Sequence, residues 1–310
     1  MIFAARGLLV SLAFFAVVYC PLCLLVVLVW QGVRRIGGQF VLISANLLFG
    51  LRVFPFVVSV VVTLFFTFPS FWLMERASSD EDAATFILAL CSLVIFTAGL
   101  FRVLRTQART TRAVAQWLMG SSSLGSDANI PALRASNGAP ALIVVGVRRP
   151  RVMVSDMAAK VLSSDELQVA VRHELAHMRA WDNLKKVLIS ANPFPGMGSL
   201  GSAWREAAEL AADDAAVASR QEALDLATAL IKLSRSSQQW HQPLLVTGLV
   251  SGTSIGLRVQ RLLRWRMVGR NLQPIRRWSL FFLLTTTIGL AYNYGAALIL
   301  THRLTELLVP

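Results

Sequence analysis

The sequence predicts an α-helical polytopic membrane protein with an α+β domain inserted between its third and fourth transmembrane helices. The first observation is the composition. The 310 residues are 55% hydrophobic and only 15% charged, and the mean hydropathy is +0.59. A soluble protein of this length would be closer to half apolar and would carry more charge. The second observation is that the apolar excess lies in four runs that contain no charge. The third is that nearly all of the net charge lies in one segment between them.

The four uncharged runs each have about the ~20 residues that cross a bilayer as a helix. They are residues 8–30, 53–73, 83–101 and 280–300. The first run is too long for the apolar core of a signal peptide, and no small-residue cleavage site follows it, so we interpret it as a span. A fifth run, 36–51, is shorter and contains glycine. For this run an interfacial or re-entrant segment is favoured over a fifth span.

The positions of Arg and Lys predict how the spans are oriented. Arg34, Arg35 and Arg52 lie between the first two spans, and further arginines follow the third span and precede the fourth. Cytoplasmic loops carry the excess of positive charge in membrane proteins. We therefore expect a multi-pass protein of a bacterial-type inner (plasma) membrane, with residues 102–278 in the cytoplasm and both termini outside.

Three domains follow from this arrangement. Residues 1–101 form an N-terminal membrane region, 102–278 a cytoplasmic domain, and 279–310 the fourth span with a short external tail. The cytoplasmic segment contains 24 Arg and Lys against 12 Asp and Glu, or about +12 of the formal net charge of +13. Many of these basic residues flank the spans, where the anionic lipids of the bilayer attract them. Because no recognised DNA-binding motif accompanies the charge, direct nucleic-acid binding is not expected.

The cytoplasmic segment is predicted to be rich in helices and to contain a small sheet. Residues 140–147 and 151–155 have the composition of two short strands joined as a hairpin. Ser163 and Glu166 have the spacing of a capping box, which predicts the start of a long helix. Later helices are expected from about Asp182 and over residues 202–219, 222–236 and 255–268.

The long helix contains an HExxH sequence, His173-Glu174-Leu175-Ala176-His177. Two histidines four residues apart project from one face of a helix, so that both imidazoles can reach one metal ion. Glu174 lies next to the first histidine, where it can accept a proton from a water molecule at that metal. The sequence therefore predicts a zinc-dependent hydrolytic site.

A zinc site of this kind needs a third protein ligand. The glycine and third histidine of the metzincin pattern are missing downstream, so the ligand is expected from the acidic helix that follows. Glu209 and Asp213 lie four residues apart on one face of that helix, and the second carboxylate could accept the free N–H of a ligand histidine. Glu206 is the alternative ligand. It is followed four residues on by Leu210, which favours Glu209.

These motifs resemble those of a known family. The stretches GVRRPRVMVSD, LSSDELQVAVRHELAHMRAWDN and ELAADDAAV are similar to the membrane-embedded metallopeptidases of the BlaR/MecR antirepressor type. Those proteins transduce the signal of beta-lactam antibiotics, and their spans also stand three before the peptidase domain and one after it. The resemblance implies a zincin-like (gluzincin) fold with one zinc ion per chain, held by His173, His177 and Glu209. It also implies that Glu174 is the base, that Asp213 supports a ligand, and that the substrate is a regulatory protein such as a transcriptional repressor.

The resemblance does not extend to a penicillin sensor. BlaR and MecR carry a large extracellular penicillin-sensing domain after the fourth span, whereas ten residues follow that span here. No Ser-x-x-Lys sequence occurs in the chain. The input signal is therefore expected to differ or to come from a separate sensor protein.

Two functions other than signalling are compatible with these motifs. The peptidases of the HtpX and CAAX-prenyl-protease type share HExxH and ExxAD and are more distantly similar, which gives membrane-protein quality control as the alternative. A non-catalytic membrane scaffold is the third hypothesis. The intact set of His173, Glu174, His177 and Glu209 argues against it, since a scaffold has no need of a base.

The remaining predictions concern residues around the metal. His241 and Arg258 are the candidates for stabilising the transition state. Arg258 falls where HtpX-like enzymes have an active-site arginine, and Arg261 is equally near that position. Asp182, five residues past His177, could support a ligand histidine or cap the next helix. Capping is favoured, because Asp favours that position by itself. The substrate is expected to add as a strand to an exposed edge of the 140–155 hairpin.

Overall fold

A computed structural model describes most of the chain. The described residues are 2–35, 44–74, 83–118, 132–135, 142–146, 151–236, 247–248, 255–265 and 293–308. They fall into two compact units. Unit 1 comprises Met1–Ile36, Val53–Ala98 and Val268–Pro310, and unit 2 comprises Gly37–Arg52 and Gly99–Met267.

Apolar helices make up nearly all of the described residues up to position 118. Helix α1 is Ile2–Arg35, helix α2 is Ala45–Val62, a π-helical turn covers Thr63–Thr67, α3 is Phe68–Met74 and α4 is Ala83–Leu118. Three stretches of these helices are long and apolar enough to cross a bilayer, namely Phe3–Arg35, Ala45–Met74 and Ala83–Trp117. The chain is therefore a membrane protein, as its composition predicts.

Two helices extend beyond the spans read from the sequence. Of the run expected to be interfacial or re-entrant, residues 45–51 form the first turns of α2, and residues 36–43 lie outside the described residues. Near the C terminus, α11 is Tyr294–Leu308 and so includes residues 301–308 of the segment assigned to the tail. Residues 280–292 lie outside the described part. An uncharged run shows only which residues can lie in the hydrocarbon of a bilayer. Helical hydrogen bonding does not depend on side-chain charge, so the helices continue through residues such as Arg52 and His302.

A four-stranded sheet lies in unit 2. Its strands are β1 Ala132–Ala135, β2 Leu142–Val145, β3 Arg151–Ser155 and β4 Thr247–Gly248, in the order β1-β3-β2-β4. Strands β2 and β3 form the predicted antiparallel hairpin, with Ile143 opposite Met153. However, β3 also pairs with β1 in parallel, and β2 pairs with β4. The expectation of an exposed edge on the hairpin is therefore wrong where β4 pairs with β2, at Ile143 and Val144.

Six helices complete the described part of unit 2. They are α5 Asp156–Val161, α6 Ser164–Arg179, α7 Asp182–Ala191, α8 Gly198–Ala216, α9 Arg220–Ser236 and α10 Ile255–Leu263. One face of the sheet, with Leu142 and Val154, packs in the same buried core as Ala170 of α6 and Leu230 of α9. Alternate strand residues point to the opposite face, where Ile143, Val145 and Met153 meet Val114 and Trp117 of α4. This packing fixes α6, the helix with the HExxH sequence, against the sheet.

The C-terminal end of α7 is held by residues of α2 and α4. The guanidinium of Arg52 in α2 donates a hydrogen bond of 2.5 Å to the carbonyl of Asn192. On the α4 side, a Cβ added to Gly99 would collide with the carbonyl oxygen of Ala191 and lie 3.4 Å from Cδ of Pro193. The absence of a side chain at Gly99 thus allows the close approach of α4 to the end of α7.

We expect Gly99→Ala to lower the thermal stability of the purified protein, although alanine favours a helix over glycine by about 1 kcal/mol. The added methyl group has no space beside the carbonyl of Ala191. Gly50→Ala is the matched control, because a Cβ there meets no atom within 4 Å and should be neutral or stabilising. The melting temperatures of both variants, measured in detergent, test this packing. Equal melting temperatures of Gly99→Ala and Gly50→Ala would contradict it.

Candidate metal centre

Helix α6 begins with a complete capping box. The Ser163 hydroxyl accepts a hydrogen bond from the Glu166 backbone N–H, and the Glu166 carboxylate accepts one from the Ser163 backbone N–H. Lys232 of α9 donates to the same carboxylate at 2.8 Å. These contacts satisfy N–H groups that the first turn of a helix leaves free, and they fix the start of the helix two turns before His173.

Three potential metal ligands converge in the buried interior. His173 Nε2 lies 3.1 Å from His177 Nε2. The carboxylate of Glu209 in α8 has its Oε2 at 3.6 Å from His173 Nε2 and its Oε1 at 3.6 Å from His177 Nε2. One donor atom from each of the three residues lies within 4.8 Å of the others. Two imidazoles and one carboxylate at this spacing are the donor set of a catalytic zinc site that keeps a position open for water.

A carboxylate lies behind each imidazole. Asp213 Oδ1 is 3.0 Å from His173 Nδ1, and Asp182 Oδ2 is 2.7 Å from His177 Nδ1. Each ring therefore has its Nδ1 at a carboxylate and its Nε2 towards Glu209, which is the orientation that a metal-binding histidine needs. The position of Asp213 agrees with the arrangement proposed from its spacing to Glu209.

The prediction that Asp182 caps α7 is wrong. Asp182 is the first residue of α7, and the residue in the capping position is Trp181, whose side chain makes no capping hydrogen bond. Trp181 has a left-handed backbone with a φ of 58°. This conformation turns the chain sharply between α6 and α7, so that Asp182 reaches back to His177.

Arg258 of α10 neutralises two of the acidic residues. Its guanidinium contacts both carboxylate oxygens of Asp213, at 2.6 and 2.8 Å, and lies 2.9 Å from Glu209. Arg261 instead contacts Asp214 at 2.6 Å, away from the three potential ligands. Of the two arginines, Arg258 is thus the one that contacts the acidic side chains beside the histidines. Its role in stabilising the transition state stays a prediction.

Glu174 is completely buried, and neither of its carboxylate oxygens has a hydrogen-bond partner among the described residues. Burial raises the pKa of Glu174 to about 8, although His173 and Lys186 act in the opposite direction. A carboxyl group with a pKa near neutrality can both take and return a proton under physiological conditions.

The sequence reasoning did not identify Lys186. It lies on the buried face of α7 with Asp182 and Asn183, and Asn183 fixes that face to the sheet by donating to the carbonyls of Val144 and Gly146. Burial lowers the pKa of Lys186 to about 8, while the carboxylates of Glu209, Asp182 and Glu174 oppose this shift. The spacing of Asp182 and Lys186, one helical turn apart, was the available signal, but it does not reveal which face of α7 is buried.

The buried charges fit a divalent cation. Four carboxylates and two cations are buried together in the described part of this site, namely Glu174, Asp182, Glu209 and Asp213 with Lys186 and Arg258. With neutral imidazoles this set has a formal charge of about −2, which an ion such as Zn²⁺ would balance. Without an ion, burial disfavours a charged His173, but the Asp213 and Glu209 carboxylates outweigh it and raise the pKa of His173 to about 9. A proton and a metal ion would thus compete for this imidazole.

Two other sequence candidates remain, Glu206 and His241. Glu206, the alternative ligand, is exposed on α8 and does not belong to the group of potential metal ligands. His241 lies outside the described residues, so its role as a transition-state stabiliser stays a prediction.

A sequence comparison agrees with the geometry. Residues 83–262 match the sequence model of the family described as BlaR1 peptidase M56. The chain belongs to this family. The match covers more than half of the chain, including the HExxH helix, Glu209, Asp213 and Arg258, so that the chain is a membrane-associated metallopeptidase of the M56 family. No curated protein is similar enough to the chain to give a match.

Removing the carboxylates behind the imidazoles should weaken metal binding by the M56 site. We expect Asp182→Asn and Asp213→Asn each to lower zinc affinity by about 10–100-fold, because such partners orient the histidine and raise its basicity. Glu206→Gln, which neutralises an exposed acid on α8, is the control and should bind zinc as the wild type does. Competition with a chromophoric chelator measures all three, and an unchanged affinity in both aspartate variants would contradict the arrangement.

Arg258→Met should destabilise the metal-free protein more than the metal-loaded protein. Removal of one partner from a buried ion pair costs about 3–5 kcal/mol of unfolding free energy, and a bound divalent ion would supply part of the lost positive charge. Arg261→Met is the control, because the Arg261–Asp214 pair is more than one-third exposed on both sides and such pairs contribute about 0–1 kcal/mol. Thermal melts with chelator and with zinc would refute this role if the two variants behaved alike.

Proposed function

We propose that the protein is a membrane-integrated zinc endopeptidase of the gluzincin type, with one zinc ion per chain and four transmembrane helices. Its ligands are His173, His177 and Glu209, and Glu174 is the catalytic base. The observation that carries this proposal is the buried cluster of three donor atoms next to a carboxylate that has no hydrogen-bond partner among the described residues. Membership of a metallopeptidase family supports it.

The residues of the site would share the work of peptide hydrolysis. When bound, zinc supplies a Lewis acid that polarises the scissile carbonyl and makes a water molecule more acidic. Glu174 takes a proton from the attacking water and returns it to the amine of the leaving peptide. Asp182 and Asp213 hold the two imidazoles in position, while Arg258 keeps Glu209 and Asp213 ionised. A non-catalytic scaffold would not need the buried base.

The test of this proposal separates metal binding from catalysis. Wild type should contain one zinc ion per chain and cleave casein, whereas His177→Ala and Glu209→Ala should lose both properties. Glu174→Gln should retain zinc and lose activity by several orders of magnitude, since only the proton acceptor is removed. Glu206→Gln controls for loss of an acid from α8 and should keep both properties.

Three results distinguish the alternatives. Zinc in the wild type without casein cleavage would indicate a latent or narrowly specific peptidase. Absence of zinc even after reconstitution would end the enzymatic interpretation and favour a scaffold. Cleavage that survives Glu174→Gln would exclude Glu174 as the base.

We propose a regulatory protein as the substrate, such as a transcriptional repressor in a signalling circuit, with the input supplied by a separate sensor protein. The peptidase domain would lie on the cytoplasmic side of a bacterial-type inner membrane, with both termini outside, as the distribution of Arg and Lys favours. This role rests on the family of the chain. Quality control of membrane proteins is the second candidate, because peptidases of the HtpX type share the same motifs.

Protein turnover in cells distinguishes these two roles. In a Glu174→Gln strain, signalling predicts that one repressor persists under inducing conditions while other proteins turn over normally. Quality control predicts that many misfolded membrane proteins persist together. Quantitative proteomics of wild-type and Glu174→Gln strains measures both patterns at once.

A further inference from the structure

The two faces of α7 have an unusual composition. Asp182, Asn183 and Lys186 form its buried face, towards the metal centre. Leu184 and Leu188, four residues apart and thus on one face of the helix, are 38% and 39% exposed. A helix at the surface of a soluble domain normally has the reverse arrangement, with apolar residues inside and polar residues outside. The apolar side of α7 is therefore only partly covered by the described residues.

Trp181 extends the exposed apolar face. It immediately precedes α7, and its side chain is 56% exposed. Its backbone is left-handed, with φ at 58°, a conformation that is unfavourable for a bulky residue and costs glycine nothing. More than half of the surface of Trp181 is exposed, so this residue is not held in place by burial among the described residues. We call Trp181, Leu184 and Leu188 the apolar face of α7.

The contacts at the C-terminal end of α7 indicate what its apolar face could contact. The carbonyl of Asn192, one residue past the helix, accepts a hydrogen bond from Arg52, and the carbonyl of Ala191 lies against Gly99. Arg52 and Gly99 belong to the candidate membrane spans Ala45–Met74 and Ala83–Trp117. Within unit 2, the end of α7 is thus attached to the parts of two helices that continue into candidate membrane spans.

The chemistry of the face fits a lipid surface as well. Tryptophan is enriched where the hydrocarbon meets the headgroups, because the indole has an apolar body and one N–H donor. Of the charged residues next to the face, Arg179 is exposed and basic. Lys185 is mostly buried, with its ammonium at Asn46 and Asp182, and Asp182 is buried. Basic residues beside an apolar helical face are typical of helices that lie in the interface of an anionic membrane.

We propose that the apolar face of α7 lies in the interfacial layer of the lipid bilayer and contacts the acyl chains just below the headgroups. The lipid takes the place of the solvent on this side of the helix, while the other side supplies Asp182 and Lys186 to the metal centre. Under the proposed function, on which this consequence rests, the metal centre lies about one helix diameter, or ~10 Å, from the lipid surface. The scissile bond would then belong to a protein segment that runs close to the membrane.

Quenching of tryptophan fluorescence tests the proposal without depending on catalysis. The full-length protein is placed in nanodiscs made with phospholipids that are brominated near the headgroup end of the acyl chains, and in nanodiscs without bromine. The chain has eight tryptophans, so the emission of Trp181 is obtained as the difference between wild type and Trp181→Phe. The proposal predicts that this difference emission is quenched by the brominated lipid and protected from aqueous iodide.

Two matched variants calibrate the measurement. Trp72→Phe removes an indole that is 53% exposed within a candidate span, and its difference emission should be quenched by bromine. Trp204→Phe removes an indole that is almost fully buried in α8, and its difference emission should respond to neither quencher.

The alternatives give different patterns for Trp181. Quenching by iodide and not by bromine would mean that the face is in water and would overturn the proposal. Protection from both quenchers, as expected for Trp204, would mean that a protein, either a second copy of the chain or another partner, covers the face, and would overturn it equally. Loss of zinc or of peptidase activity does not affect the readout, so that failure of the proposed function and failure of this proposal are distinguishable.

Discussion

The metal centre depends on the burial of more negative than positive charge at the junction of α6, α7, α8 and α10. A carboxylate placed in a protein interior is unfavourable unless a cation or hydrogen-bond donors compensate for it. Arg258 compensates for Asp213 and Glu209 at distances of 2.6 to 2.9 Å, and Lys186 adds a second buried cation. Glu174 has no hydrogen-bond partner in the described structure. When all four carboxylates are ionised and both imidazoles are neutral, an excess of about two negative charges remains, which a divalent ion would balance. Without an ion, protons on Glu174 and His173 offset this excess, because both groups have a raised pKa.

The surrounding fold serves this arrangement. The capping box at Ser163 and Glu166 begins α6 at a defined residue, and the packing of that helix on the sheet determines where His173 and His177 point. Asn183 fixes α7 to the end of β2, while Arg52 and Gly99 hold its other end. Helix α7 is consequently constrained at both ends, which keeps Asp182 at 2.7 Å from His177. The buried face of α7 is polar because it lies against the charged side chains of the site. Its outer face is apolar because, in our proposal, it contacts lipid and not water.

Local patterns predicted much of this protein and failed where contacts are long-range. The apolar runs of α1, α2 and α4, the cap of α6 and the four-residue spacings of His173 with His177 and of Glu209 with Asp213 are properties of single helices, so the sequence contains them directly. For Asp182 the same residue type suits a helix cap and a contact with a histidine. The choice depends on the left-handed backbone of Trp181, which no propensity favours. The pairing of β2 with two residues near position 247 offers no periodicity to detect, and the buried side of α7 is the reverse of the usual pattern.

The central claim is that two imidazoles and one carboxylate bind a zinc ion in the interior of this membrane protein. X-ray absorption at the zinc edge of the purified, zinc-loaded wild type tests it most directly, beside Glu209→Ala as the variant that lacks the third ligand. We expect a four-coordinate centre with two imidazole nitrogens at about 2.0–2.1 Å and oxygen donors completing the shell, and loss of that signature in Glu209→Ala. Sulfur in the first shell, an all-oxygen octahedral centre, or an unchanged spectrum in Glu209→Ala would contradict the account.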